Sequence, residues 1–197
     1  MNINVNGKAY IKTNNAALPN VPVEINWGSK RYCLFCSSYK VASGKTDNSG
    51  NFNFNITIDS TYFKDYFLGV SVPSLANYIT IPGANDNRFY QFDLNALQNL
   101  KFEFYPKTYM TIKLHRILND NFDYFSVEHN FKREVGYIDY IITKSQFATD
   151  TTLRVETSAD IYTRIVWNKS SVGGPSIQHT DSLICTNNGN NIFNIDY

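Results

Sequence analysis

Hydrophobic and polar residues alternate strictly along the stretch 51–59, directly after a polar turn. The apolar positions of this stretch are Phe52, Phe54, Ile56 and Ile58. Alternation with a period of two buries one face and exposes the other only in a β-strand. In the preceding turn, Asp47 can accept hydrogen bonds from nearby backbone N–H groups, and Gly50 suits unusual backbone angles. The pattern therefore predicts a turn and a half-buried strand. We expect its apolar face to pack opposite Val21, Val23 and Ile25.

Short runs rich in Phe, Tyr, Ile, Val and Thr recur along the chain between clusters of Asn, Gly and Ser. Strong helix formers are scarce, so the pattern predicts an all-β protein. The predicted strands of the first half are 2–12, 20–27, 31–42, 50–58, 66–73, 87–92 and 101–105. Those of the second half are 109–116, 122–129, 135–143, 151–157, 160–168, 176–185 and 190–197. One helical turn is predicted within 93–100, where leucines recur every third residue.

The strand pattern is interrupted once near the middle of the chain. Pro106 lacks a backbone N–H for a sheet ladder and lies between the runs 101–105 and 109–115. We place a domain boundary within 105–108, which predicts two β-sandwich domains, 1–105 and 106–197. Frequent turn signals between the short strands of the second half favour a sandwich there.

Three segments of the first half, in order and at suitable spacing, resemble the carboxypeptidase regulatory-like domain. They are Val5–Tyr10, Leu18–Ile25 and Thr46–Phe54, the last with the pattern T-D-x-x-G-x-F-x-F. Asn20 stands where that family usually has Gly, and a left-handed turn position tolerates Asn. The chain departs from the family in an aromatic insert, Trp27–Tyr39.

This resemblance implies a transthyretin-like β-sandwich over 1–105, in a family that is typically non-catalytic and acts as a stalk, a folding aid or a partner-binding unit. The second half resembles the companion domain of small exported Bacteroidota proteins, through the strand Ile161–Trp167, a Gly-Gly-Pro loop and an aromatic final strand. That likeness implies an immunoglobulin-like sandwich over 106–197. It also implies a secreted or surface-anchored lipoprotein whose leader is absent from this sequence.

The charge and hydropathy of the chain indicate which classes of partner to expect. The net charge of +1 creates no long-range field that would attract nucleic acid or an anionic membrane. No apolar run approaches the ~20 residues that span a bilayer. The first residues, which alternate as a strand from Ile3, show neither the basic nor the apolar part of a signal peptide. Either the protein is cytosolic or a leader was removed, and the family resemblance favours a location in the cell envelope, at the surface or outside the cell.

The chemistry-bearing residues do not form a known catalytic motif. His115, His129 and His179 are isolated along the chain, and no G-x-S-x-G, H-E-x-x-H or Walker-type pattern occurs. The Asp47–Gly50 turn lacks the ligand spacing of a calcium loop. The pair Asp120 and Asp123 is typical of a turn. We therefore predict no enzyme activity, no cofactor and no metal site.

Three cysteines leave several chemistries open. Cys33 and Cys36 form a C-x-x-C pair, and Cys185 stands alone. A redox motif would need a helix after the pair, and a zinc site would need four ligands. Their flanks indicate a strand or hairpin instead. Structural or free thiols are favoured, with a disulfide or a metal or redox role as alternatives.

The aromatic insert is the candidate for binding. Trp27, Tyr32, Phe35 and Tyr39 fall within thirteen residues, and such rings at the end of a sandwich stack on sugars or anchor protein partners. The alternative is that they cap the core, as a second cluster at Tyr62, Phe63, Tyr66 and Phe67 is expected to do. The sequence thus predicts a non-enzymatic module that binds a protein or glycan at the cell surface. A structural subunit of a pilus-like surface assembly and an accessory domain of a transport or hydrolytic complex are the alternatives.

Overall fold

The computed structural model describes residues 1–30, 38–79, 86–89, 91–117, 122–131, 137–143 and 150–197. Within these residues, regular structure consists of β-strands and two short 3-10 helices, η1 (Ser60–Lys64) and η2 (Gln91–Leu97). The prediction of an all-β protein is confirmed. The chain divides into two compact units, Met1–Tyr105 and Pro106–Tyr197. Whether each unit folds alone stays a prediction.

The first unit consists of two sheets around one core. Its strands are β1 (Asn2–Ile11), β2 (Pro22–Ser29), β3 (Tyr39–Lys45), β4 (Asn51–Thr57), β5 (Tyr66–Ser71), β6 (Tyr78–Ile79), β7 (Asp86–Phe89) and the start of β8 (Leu100–His115). One sheet has the order β4-β1-β8, with β6 also paired to β8, and the other has the order β3-β2-β5-β7. Strand β1 runs antiparallel to β4 and parallel to β8.

The alternating face of β4 packs into this core much as predicted. Phe52, Ile56 and Ile58 are buried in one cluster with the apolar residues of β2. Phe54 is only half-buried, which corrects the expectation that the whole face would be covered. Its ring lies over Gly44 of β3, so close that a Cβ placed on that glycine would lie 2.9 Å from Phe54 Cε1. Because β3 and β4 are the outer strands of their sheets among the described elements, a glycine partner leaves one side of this ring open.

The turn before β4 has the predicted chemistry. The Asp47 carboxylate oxygen Oδ1 accepts hydrogen bonds from the backbone N–H groups of Ser49 (2.8 Å) and Asn51 (2.9 Å). Gly50 and Asn20 both adopt left-handed backbone angles, with φ of 75° and 61°. The prediction that Asn20 occupies a left-handed turn position is confirmed.

The second unit also has two sheets. Its strands, after the rest of β8, are β9 (Tyr124–Asn130), β10 (Tyr137–Thr143), β11 (Thr151–Ser158), β12 (Tyr162–Ser170), β13 (Ser176–Ile184) and β14 (Ile192–Asp196). One sheet places β8 between β11 and β14, and the other has the order β10-β9-β12-β13. The core between them contains Met110, Ile112, Leu114, Phe125, Val127, Ile165, Ile195 and Tyr197.

The prediction that the strand would break at Pro106 is wrong. Strand β8 continues from Leu100 to His115. Its pairing with β1 ends at Phe104, and its pairing with β11 begins at Lys107. Pro106 thus lies between the residues that pair with β1 and those that pair with β11, where a missing N–H falls at the end of a ladder and not within one. Its carbonyl oxygen accepts a bond from the N–H of Ala159.

The two 3-10 helices differ in whether the sequence predicted them. The predicted helical turn at 93–100 corresponds to η2, which ends at the fully buried Leu97. Helix η1 was not predicted. Its N-cap, Asp59, accepts hydrogen bonds from both the N–H and the hydroxyl of Thr61. This local bonding starts a 3-10 turn within a sequence otherwise dominated by strand-forming residues.

Candidate functional site

Aromatic side chains from four elements meet at one end of the first sandwich. We call this group the aromatic platform and define it as Trp27, Tyr39, Tyr62 and Tyr66. Strand pairing sets Trp27 of β2 opposite Tyr39 of β3, and places Ser29 opposite Tyr66 of β5. Helix η1 brings Tyr62 over the end of this sheet and inserts Phe63 into the core.

The rings of the platform form a continuous series of contacts. Trp27 stacks on Tyr62 with ring centroids 5.6 Å apart and meets the edge of Phe63 at 4.9 Å. Tyr62 contacts Tyr66 at 5.7 Å, and Tyr66 meets Tyr39 edge-on at 5.9 Å. Such offset and edge-to-face geometries are favoured by the ring quadrupoles. The series therefore fixes the orientation of its outermost rings.

The platform is buried at one end and exposed at the other. Trp27 is 6% exposed, whereas Tyr39 is 51% and Tyr62 is 44% exposed. The coulombic effect of the neighbouring Tyr39 raises the pKa of Tyr66 above its usual value. The tyrosines of the platform offer apolar ring faces with hydroxyl tips. That combination suits stacking on a sugar ring or an apolar peptide side chain.

The four residues predicted to bind a partner differ in whether the structure describes them and in how exposed their side chains are. Tyr39 is exposed, as a binding role requires. The expectation that Trp27 would offer a free ring is corrected, since Tyr62 and Phe63 cover it. Tyr32 and Phe35 lie outside the described residues, so their roles stay predictions.

Sequence reasoning assigned Tyr62 to the core, and the structure shows its side chain exposed. The neighbouring Phe63 is buried as expected. The pattern Asp59-Ser60-Thr61 was the available signal, because an Asp at an N-cap starts a helical turn. Adjacent residues face different directions in a helical turn and in a strand alike, so Tyr62 and Phe63 could not both point into the core.

The three histidines serve separate local contacts. His115 Nδ1 lies 2.9 Å from Asp150 Oδ2, and this hydrogen bond lowers the pKa of the exposed Asp150 carboxyl. His129 Nε2 lies 2.9 Å from the carbonyl oxygen of Glu156. His179 stacks on Trp167 with ring centroids 5.3 Å apart.

The described residues contain no group of three or more His, Cys, Asp or Glu side chains that could hold a metal ion. Cys185 is a buried free thiol, and burial raises its pKa. Cys33 and Cys36 lie outside the described residues. In the described parts of the chain, no helix is long and apolar enough to cross a membrane.

Strand β13 is a second exposed feature of the molecule. Among the described strands it pairs only with β12, through a regular register from Ser176 to Ile184. Every residue of β13 except Leu183 is exposed. Ile177 and Ile184 are 52% and 45% exposed, respectively. A long outer strand of this kind is where another chain can add to a sheet.

Comparison with known proteins finds no matching family model and no similar curated protein. Among solved structures, the shaft pilin SpaA of Lactobacillus rhamnosus GG is 11% identical and aligns over 100% of this chain and 98% of its own, with a TM-score of 0.40. A streptococcal ancillary pilin is 12% identical over the whole chain, with a TM-score of 0.36, and the present chain spans 62% of its length. The pilus adhesin SpaC of L. rhamnosus GG is 11% identical, with 99% and 28% of the two chains aligned and a TM-score of 0.35. At TM-scores this low, argument about function rests on the residues of the chain itself.

Proposed function

We propose that this chain is a non-enzymatic module of the cell envelope or extracellular space that binds a protein or glycan through the aromatic platform. The main observation behind the proposal is the pair of exposed rings, Tyr39 and Tyr62, which are oriented by packing on Tyr66 and Trp27. Rigid aromatic side chains with few rotatable bonds lose little entropy on binding, which is why Tyr and Trp are enriched at binding hot spots.

The resemblance of the first unit to the carboxypeptidase regulatory-like domain supports this proposal. That family implies a non-catalytic, partner-binding or stalk role, and the likeness of the second half to small exported Bacteroidota proteins implies export. The left-handed angles of Asn20 and Gly50 fit two turn positions of the family pattern. The aromatic insert is the part of the chain that the family does not require, so a function particular to this protein is expected there.

The test compares the wild type with a Tyr39→Ala/Tyr62→Ala double variant on a glycan array and an immobilised peptide library. We expect every specific interaction of the wild type to weaken at least about tenfold, since truncation of a hot spot commonly costs ≥ ~2 kcal/mol. The control is Tyr109→Ala/Tyr124→Ala, which removes two tyrosines of similar exposure from the second unit. Unchanged binding by the platform variant would overturn the proposal. Trp27→Ala is unsuitable, because truncation of a buried ring destabilises the fold.

A second candidate function is that of a structural subunit of a surface assembly in which copies of the chain join. The observation that favours it is the long, exposed strand β13. It requires association of the chain with itself, which the first candidate does not.

A further inference from the structure

Strand β13 lacks most of the features by which proteins usually protect the edge of a sheet. Such edges are short, bulged, interrupted by Pro or Lys, or carry a charged side chain on the inner face. β13 is 9 residues long, has the sequence SIQHTDSLI, and keeps an uninterrupted register with β12. Its only charged or titratable side chains are His179 and Asp181. Asp181, opposite the buried Ile165, is the one inner-face carboxylate of β13. The edge is therefore suited to a strand that offers a partner for this carboxylate.

We propose that a second copy of this chain pairs with β13, antiparallel and about a two-fold axis through Thr180. In this arrangement Ile177 faces Leu183 of the second copy, and His179 faces Asp181 of the second copy. Thr180 faces its own counterpart. The two-fold axis produces each of the first two pairs twice. The two strands therefore form four matched pairs, two on either side of the central Thr180 pair. An imidazole N–H of His179 can donate a hydrogen bond to the carboxylate of Asp181. Cross-strand pairs that hydrogen-bond, and pairs of apolar residues, each stabilise a sheet.

The order of residues along β13 selects this register over its neighbours. When an antiparallel strand pairs with an identical strand, a residue must lie on the two-fold axis, because facing residues must direct their backbone groups alike. An axis through His179 sets two imidazoles opposite each other and leaves Asp181 facing Ile177. An axis through Asp181 sets two carboxylates opposite each other, which is destabilising. Only an axis at Thr180 brings His179 and Asp181 together.

The pairing of β13 with β12 shows which face these side chains occupy. Asp181 lies opposite Ile165, and His179 lies opposite Trp167. Ile165 is fully buried in the core of the second unit, and Trp167 packs against that core. The matched pairs would therefore extend the inner face of the sheet beyond its present edge. Stacking on Trp167 already orients the ring of His179.

Pairing would join the sheet β10-β9-β12-β13 of one copy to the same sheet of the second copy, which gives one continuous sheet. Full pairing of two such strands forms about eight to ten backbone hydrogen bonds. No strong affinity follows from one strand pair alone, so we expect a dimer that dissociates on dilution. This inference makes the second candidate function concrete and rests on it, while the aromatic platform is not involved.

Sedimentation of the full chain over a range of concentrations up to about 1 mM, the weak end of specific association, measures the dimer. We expect His179→Asp to raise the dissociation constant at least about tenfold, since it sets two carboxylates opposite each other at two places. The swap His179→Asp/Asp181→His recreates both pairs and should restore the dissociation constant to within about threefold. Asp196→His, an exposed change on β14, should leave it unaltered. A monomeric wild type, or a swap that fails to restore a dimer, would overturn the proposal.

Cysteine cross-linking tests the position of the axis. Thr180→Cys should form an intermolecular disulfide under mild oxidation, because facing Cα atoms of paired strands lie within disulfide reach. Gln178→Cys should not, since the two substituted positions would be about 14 Å apart along the strands. Equal cross-linking of the two variants would contradict the register. Glycan and peptide binding by the His179→Asp variant distinguishes the two functions. If this variant loses the dimer but still binds, then binding at the aromatic platform does not depend on pairing through β13.

Discussion

The hydroxyl of Thr46 donates a hydrogen bond to the carbonyl oxygen of Leu18 over 2.6 Å in the buried interior of the first unit. The hydroxyl oxygen of Thr46 also accepts a bond from the N–H of Val21 over 2.9 Å. Two further backbone bonds connect these segments, from the N–H of Asn20 to Thr46 and from the N–H of Thr46 to Val21. One threonine thus joins the end of β3 to the turn that precedes β2.

Thr46→Val should destabilise the first unit by about 1–3 kcal/mol, because it leaves the Val21 N–H and the Leu18 carbonyl without this partner in a buried site. Thr46→Ser keeps the hydroxyl and should cost less than half as much. Urea unfolding followed by the fluorescence of Trp27, in a Trp167→Phe background, measures both. Equal losses from the two variants would show that the methyl group, and not the hydroxyl, is what matters.

Phe52 and Phe54 provide a test of how deeply β4 is buried. Phe52→Ala should cost about 3–5 kcal/mol, the usual range for a large ring removed from a core. Phe54→Ala should cost less, since its ring is half-exposed over Gly44. Asn53→Ala, on the opposite face, should change stability by less than about 0.5 kcal/mol. If Asn53→Ala were as harmful as Phe52→Ala, the register of β4 would be wrong.

A comparison of Gly50 with Gly173 distinguishes two penalties of adding a side chain: the left-handed backbone conformation and steric overlap with neighbouring atoms. Both have positive φ, 75° and 71°. A Cβ at Gly50 would lie 2.5 Å from the carbonyl oxygen of Ala9, whereas a Cβ at Gly173 meets nothing within 4 Å. Gly173→Ala should cost about 1–2 kcal/mol, the penalty of the left-handed conformation alone. Gly50→Ala should cost about 2–4 kcal/mol, because the overlap adds to that penalty. Thermal unfolding of the two variants gives the comparison, and equal losses would contradict it.

Cys185 should be inert in the folded protein. Its side chain is fully buried, and burial raises the pKa of the thiol, so little of the reactive thiolate forms. Brief treatment with iodoacetamide at pH 8, followed by mass spectrometry of the peptide that contains Cys185, should show modification only after denaturant is added. Modification at an equal rate in native protein would show that this part of the core opens readily.

The sequence predicted the strands well because their patterns are local. The alternation in β4 and the turn at Asp47 each depend on a few adjacent residues, and the structure shows both. The expectation at Pro106 failed because proline excludes a strand only where a ladder needs its N–H. The sequence does not show that the two pairings of β8 end on either side of that residue.

Side-chain exposure was predicted less well, since it depends on partners distant in the sequence. Trp27 is buried because η1, which lies more than thirty positions later, places Tyr62 and Phe63 over it. Contacts between side chains on the polar face of β4 likewise depend on a partner strand distant in the sequence. Asn4 Nδ2 donates to the side-chain oxygens of both Asn53 and Asn55, over 2.6 and 2.8 Å. Alternation predicts that these asparagines are exposed, but only the register of β1 with β4 makes them neighbours.

The last prediction is that each unit folds on its own when it is expressed separately as residues 1–105 and 106–197. The first fragment keeps the pairing of β1 with residues 100–104 of β8, and the second keeps the pairings of residues 107–115 with β11 and β14. Each also keeps its own buried cluster. Both fragments should therefore give dispersed amide spectra and cooperative thermal transitions. A matched pair divided after Met110 instead removes strand β8 residues from the second core and should yield an unfolded second fragment. If neither 1–105 nor 106–197 folds, while the intact chain unfolds in one cooperative step, the two units are not independent domains.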